Sequence, residues 1–295
     1  MFRRLALVLV LMLCFGGVSD AGVLRLGILP VLDTLPLHVA VERGLFEKQG
    51  LSVELVPFAS AMERDTAMKS NQLDGYFGDL IATLTLIRSG VPMRIATVTY
   101  ATTPSQRMFA IVTSPKGAAT GAPLGFSRTT IMEFLLDRLA PDNVVAGQEF
   151  ERLEVKKIPI RMQMLMTGQL GYAILPEPLA TLVEAKGGQV LATDEALDIP
   201  LTVISLREDK MGYYKAFMAA YGEALAALGA EPESFRQLMA ANCRIPGPLV
   251  KTFPMYRYPE PRLPTHAEVD EVQQWMLRVG LLKETLAYEL LIPEN

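Results

Sequence analysis

The sequence predicts an α/β protein of two successive units, each a mostly parallel sheet, followed by a helical C-terminal tail. Three observations carry this. Short β-branched apolar runs alternate with segments of helical period from Val23 to about Ser205. Residues 72–84 (QLDGYFGDLIATL) are echoed by residues 169–182 (QLGYAILPEPLATL), with Gln-Leu, Gly-Tyr and Ala-Thr-Leu recurring in order; the echo supports a duplicated unit without proving one. From Glu208 onward no strand pattern remains.

In the first unit, Val23–Leu29 is a short apolar run ended by Pro30 and reads as a buried strand. Pro36 opens a helix over Leu37–Lys48, with Leu37, Val41 and Leu45 at helical spacing. Leu51–Phe58 alternates as a strand, Ser60–Gln72 is a polar helix, Tyr76–Phe77 a very short strand, Ile81–Arg88 an apolar helix and Met93–Tyr100 a further strand. In the second unit, strands are expected at Arg107–Thr113, Leu124–Phe126, Leu153–Ile158, Tyr172–Leu175, Val190–Leu191 and Leu201–Ser205. Helices fall between them at Thr129–Leu139, Arg161–Met166 and Pro178–Lys186. The tail reads as helices over Met211–Leu228, Pro232–Asn242, His266–Leu282 and Glu284–Leu291, with a Pro- and aromatic-rich stretch from Pro246 to Pro264. Its apolar stripe, including Trp275, needs a surface to cover, and the first unit is the expected one.

The first 21 residues stand apart. A basic start (Arg3, Arg4), an apolar run from Leu5 to Phe15 and a small polar end at Ser19-Asp20-Ala21 form the pattern of a secretory signal peptide cut after Ala21. Removing it takes the 28 basic residues to 26 and the 32 acidic ones to 31, a net charge of −5. A mildly acidic chain without basic runs lacks the electrostatic footprint of a nucleic-acid binder. Cys243 is then the one cysteine of the mature chain, so no internal disulfide is expected. Lipidation at Cys14 is the alternative to cleavage, disfavoured by the bulky Leu13 before it.

Several strings resemble the nitrate, sulfonate, taurine and thiamine-precursor binding proteins of ABC importers: Pro36-Leu37-His38-Val39-Ala40, Arg43-Gly44-Leu45-Phe46, Gly50-Leu51-Ser52-Val53-Glu54 and Gln72-Leu73-Asp74-Gly75. Leu124–Thr130 and Gly168–Pro178 (GQLGYAILPEP) match more loosely, with Gly171 where the family commonly has Asp. The resemblance, from Leu24 to about Ala192, implies a two-lobe type II periplasmic-binding fold: lobe 1 from residues 22–103 plus 206–295, lobe 2 from residues 104–205. Its double crossover hinge would run near Ala101–Gln106 and Thr202–Arg207. It implies a monomeric periplasmic receptor that takes a small polar or anionic solute to ABC permease subunits, with no cofactor or metal. A ligand sensor without a transporter is the alternative.

Such a fold places its ligand at the carboxyl edges of the sheets, where helix N-termini offer free N–H groups. Four loops are expected there. Asp33 and Thr34 precede the first helix, and His38 sits one turn into it; Ser60 opens the second. Gly78 and Asp79 open the third, where Asp79 is either a cap or a ligand contact. Ser127, Arg128, Thr129 and Thr130 open the helix from Ile131, a combination suited to a carboxylate or sulfonate. Glu177, in the Leu175–Pro178 turn, would pair with a donor group on the solute. No HExxH, CxxC, GxSxG or P-loop pattern is present, and the Cys-rich segment of the related thiamine-pyrimidine synthases is missing, so an enzyme is the less favoured alternative.

Overall fold

The computed structural model describes residues 23–294, so the expected signal segment and Cys14 lie outside the described residues. The chain begins with β1 (Leu24–Ile28), α1 (Leu35–Glu42), α2 (Leu45–Lys48), β2 (Val53–Pro57), α3 (Ala61–Lys69), β3 (Gly75–Gly78), α4 (Leu80–Arg88) and β4 (Met93–Ala101). It continues through β5 (Phe109–Thr113), β6 (Pro123–Phe126), α5 (Ile131–Leu139), β7 (Val144–Val145), β8 (Gln148–Glu149), β9 (Glu151–Glu154), α6 (Ile158–Thr167), β10 (Tyr172–Pro176), α7 (Leu179–Ala185) and β11 (Val190–Thr193). It returns through β12 (Pro200–Arg207) and ends in α8 (Tyr214–Ala230), α9 (Arg236–Asn242) and α10 (His266–Arg278).

Two five-stranded sheets result, ordered β2-β1-β3-β12-β4 and β11-β5-β10-β6-β9. Within the first, β1 pairs in parallel with β2 and β3, while β12 runs antiparallel to both β3 and β4. Within the second, β6 pairs in parallel with β9 and β10, while β5 runs antiparallel to β10 and β11. Each sheet thus has one strand of opposite direction, the strand by which the chain enters it from the other lobe. That exchange makes a double connection between the lobes, through residues 102–108 and 194–199. The return crossing precedes the expected Thr202–Arg207 because those residues already belong to β12.

The tail binds the lobes from outside. Phe217 of α8 stacks on Phe46 of α2 at 5.2 Å. Trp275 of α10 is 2% exposed, meets Phe134 of α5 edge-on at 5.3 Å and donates its indole N–H to Asp137 at 2.8 Å. The tail therefore covers both lobes and not the first alone, since α10 also packs on α4. The carbonyls of Leu291 and Arg262 accept from the N–H groups of Ile95 and Val98 at 2.7 and 2.8 Å, which covers the otherwise open edge of β4.

Other differences from the sequence expectation have local causes. The single helix expected over Leu37–Lys48 is two, because Gly44 takes the left-handed conformation (φ 63°) between α1 and α2. The strand expected at Leu153–Ile158 lies earlier, at Glu151–Glu154, because Pro159 in the first turn of α6 draws Ile158 into that helix. The helix expected over Glu284–Leu291 is a single 3-10 turn, Tyr288–Leu290: the Gln273 side chain bonds both the N–H and the carbonyl of Leu286, at 2.6 and 3.2 Å. Those tertiary bonds override a good helical propensity.

Candidate functional site

The carboxyl ends of β1, β3, β6 and β10 meet between the lobes around a cavity of about 50 Å³. Lobe 1 supplies Leu29, Val31, Asp33, Ala61, Arg64, Phe77, Gly78 and Asp79; lobe 2 supplies Ser127, Thr130, Ile131, Met132, Lys156, Ile158 and Pro176. Phe109 of β5 and Thr202 of β12, on the two exchanged strands, complete the wall.

Asp79 joins the lobes. It caps α4, accepting from the Ala82 N–H at 2.8 Å, and its other oxygen accepts from the N–H of Ile131, the first residue of α5, at 3.1 Å. One carboxylate therefore closes two helix N-termini, one in each lobe. Burial raises its pKa to about 6, against the opposing influence of those two N–H groups and Arg64. A second link between the lobes is the ion pair of Lys157 and Glu63 at 2.8 Å.

Asp33 is 2% exposed and accepts from the Thr202 hydroxyl at 2.6 Å. Thr202 in turn accepts from the Thr99 hydroxyl at 2.8 Å, so a hydroxyl relay leads from β4 through β12 to Asp33. Burial pushes the Asp33 carboxyl up to about 7, the Thr202 bond opposing and Asp194 adding to the rise.

Among the other residues expected at the site, Gly78, Ser127 and Thr130 also line the cavity. The ring of Tyr76 lies 2.1 Å from where a Cβ on Gly78 would stand, so the position requires glycine. Thr130 caps α5, accepting from Met132 N–H at 3.2 Å and donating to the Ser127 carbonyl at 3.0 Å. Thr34, His38, Ser60, Arg128, Thr129 and Glu177 are absent from the cavity wall. The Thr34 hydroxyl pins its own turn, donating to Val31 O at 2.7 Å, and Ser60 caps α3 through Glu63 N–H at 3.2 Å. The His38 Nε2 is buried without a partner, and burial lowers its pKa to about 4, which keeps the ring neutral.

Arg128 has a 60% exposed side chain, lies 3.7 Å from Glu133 and faces an open groove beside the cavity, with Thr129 at φ 58° next to it. Glu177 is buried against Arg107 at 2.5 Å and accepts from the Thr181 N–H and hydroxyl at 3.1 and 3.0 Å. It borders a separate, mostly apolar groove with Cys243 and Arg244.

Two buried arginines were not anticipated. Arg64 of α3 and Arg161 of α6 hold equivalent places in the two lobes, each packing its Cγ 3.0 Å from where a Cβ would stand on a strand glycine, Gly27 or Gly125. The signal was in the echo: each arginine stands the same number of positions ahead of a Gln-Leu pair, Gln72-Leu73 or Gln169-Leu170. Their partners differ. Arg64 donates to Asp65 at 2.7 and 2.9 Å and to Phe77 O at 2.7 Å, and lies 4.3 Å over the Tyr76 ring. Arg161 donates to the Ser127 hydroxyl at 2.8 Å and to Val155 O at 3.3 Å, and one terminal nitrogen meets the Met132 sulfur at 2.8 Å. Its Nε has no partner. Met162 stands where lobe 1 has Asp65, and burial without a counter-ion lowers the Arg161 pKa to about 9.

This arrangement can enclose a small molecule between two rigid edges, with the hydroxyls of Ser127, Thr130 and Thr202 and the carboxylates of Asp33 and Asp79 on its wall. Among the described residues, no group of three or more His, Cys, Asp or Glu side chains is placed to hold a metal ion.

The sequence matches the NMT1-like family over residues 19–241. No curated protein matches it. Among solved structures, the chain is similar to the ligand-binding component of an ABC-type import system from Staphylococcus aureus with zinc bound: TM-score 0.75, 16% identity, 92% of this chain and 96% of that one covered. It is similar to the periplasmic aliphatic sulphonate binding protein SsuA from Escherichia coli, with TM-score 0.72, 16% identity and 92% of each chain covered. The periplasmic nitrate-binding protein NrtA from Synechocystis PCC 6803 follows, at TM-score 0.66, 16% identity and 92% and 84% coverage. At such identities the likeness is one of fold, and the fold is the two-lobe periplasmic-binding one, with the strand exchange described above.

Proposed function

Because the chain belongs to the NMT1-like family, we propose that it is an extracytoplasmic solute-binding receptor that captures a small molecule between its lobes and hands it to the permease of an ABC importer. The observation that carries this reading is the cavity between the two sheet edges, bridged by exchanged strands that let one lobe rotate on the other. The fold-level likeness to ligand-binding components of import systems supports it. The receptor acts as a monomer, performs no catalysis and reaches its compartment by cleavage after Ala21. Its lobes comprise residues 22–103 with 200–295, and residues 104–199, the boundary moved from the expected 205 because β12 pairs within the first sheet.

The test is a solute screen on the purified chain starting at Gly22. A true solute binds the folded, closed form in preference to the unfolded chain, and at a hundredfold excess over its Kd adds about 2.7 kcal/mol of stability. The expected result is a clear rise in melting temperature together with a smaller radius of gyration by X-ray scattering. A screen across small anions, amines, amino acids and pyrimidines in which no solute produces both changes overturns the receptor reading.

A further inference from the structure

The wall of the cavity has a specific chemical character. Its body is apolar, built from Leu29, Val31, Phe77, Phe109, Ile131 and Ile158. The N-terminus of α5, where an oxyanion would bind, is already filled by the Asp79 carboxylate from the opposite lobe. Arg64 is held by Asp65 and the Phe77 carbonyl, and the Lys156 ammonium is drawn to the Met62 sulfur at 3.5 Å, in an exposed contact.

Asp33 remains. It accepts one side-chain hydrogen bond, from Thr202, whose own oxygen is occupied by Thr99. No described Lys, Arg or His lies within ion-pair distance of it; the charged neighbour that acts on it is Asp194, and the groups whose pKa its own charge raises are Tyr100, Tyr221, Cys243 and Tyr258, none of them cationic. A buried carboxylate that faces a cavity with unused acceptor capacity and no cation is costly for the fold to keep.

We infer that the solute is a compact, largely apolar molecule carrying a protonated amine or an equivalent N–H donor, which docks on Asp33. This deepens the receptor reading and rests on it. The ammonium supplies the missing counter-ion through a charge-assisted hydrogen bond, while the rest of the molecule buries against the apolar wall. A bare oxyanion against Asp33 would meet the carboxylates of Asp33 and Asp79; of the two cations in the wall, Arg64 is held by Asp65, and Lys156 alone has no carboxylate partner among the described residues.

The test is titration calorimetry and thermal shift of the mature chain in phosphate buffer, with propylamine, butylamine and benzylamine as donor probes and nitrate and methanesulfonate as anion probes. The expected result is binding of at least one amine and not of the anions. Asp33→Asn, folded by circular dichroism, weakens that amine at least tenfold, about 1.4 kcal/mol. Independently of any variant, the carboxyl carbon resonance of Asp33 in the wild-type protein moves to its ionised position as the amine is added. Anion binding without amine binding overturns the inference and leaves the receptor reading standing. So does amine binding that Asp33→Asn leaves intact or that fails to move the resonance. Failure of every solute in the wider screen removes both.

Discussion

Asp33 lowers the stability of the protein it belongs to. Its carboxyl titrates at about 7 in the folded chain and near 3.8 in the unfolded one, so between those values the folded form holds a proton more tightly. Its charged form therefore costs stability as pH rises from about 4 to 7, at roughly 1.4 kcal/mol for each pH unit crossed. Asp33→Asn, which still accepts from Thr202, should raise the melting temperature by several degrees at pH 7.5 and leave it unchanged below pH 4; melts across that range check it. The buried arginines give a second contrast. Arg64→Met removes the buried bond to the Phe77 carbonyl and the ion pair with Asp65, so about 2–3 kcal/mol should be lost in urea unfolding. Arg161→Met removes a cation without a counter-ion and should cost clearly less. At this scale the sequence was only partly readable. Asp33 and Asp79 stood out as polar residues beside helix starts, but Thr202 and Arg64 reach the cavity from an exchanged strand and a helix whose orientation no local pattern records.

The elements were more legible than the residues. Buried strands such as β4, β5 and β10 are short apolar runs that announce themselves, and the caps at Ser60, Asp79 and Thr130 lie where hydroxyl or carboxylate side chains precede a helical period. The directions of β5 and β12 were not legible, because pairing across the whole chain decides them. The Pro- and aromatic-rich segment from Pro246 to Pro264 gave no pattern at all, yet it forms a strap over the crossing. Tyr256 donates to Arg107 O at 2.5 Å, Tyr258 donates to Leu32 O at 2.7 Å, and Gln106 exchanges two hydrogen bonds with the Arg257 backbone at 2.7 and 3.0 Å. Tyr256→Phe should cost about 1 kcal/mol and speed amide exchange at Arg107 and its neighbours. Unchanged exchange there would mean that the strap does not restrain the crossing.

For the molecule as a whole, closure depends on few bonds. Asp79→Asn keeps an oxygen for the cap on α4, as Asn is also a good N-cap, but turns an amide N–H toward Ile131 N–H. The variant should favour the open arrangement, seen as a larger radius of gyration in solution without solute. Because burial in the closed arrangement raises the Asp79 carboxyl to about 6, that arrangement holds the proton more tightly, and acidification through that value should favour closure, seen as a smaller radius of gyration. The exchanged strands have a consequence in time as well as in space. Strand β12 fills the gap between β3 and β4, so the first sheet cannot close until residue 207 has been synthesised. This strand order keeps the first half of the chain an incomplete sheet, with β3 and β4 unjoined, until more than two thirds of the polypeptide has been made.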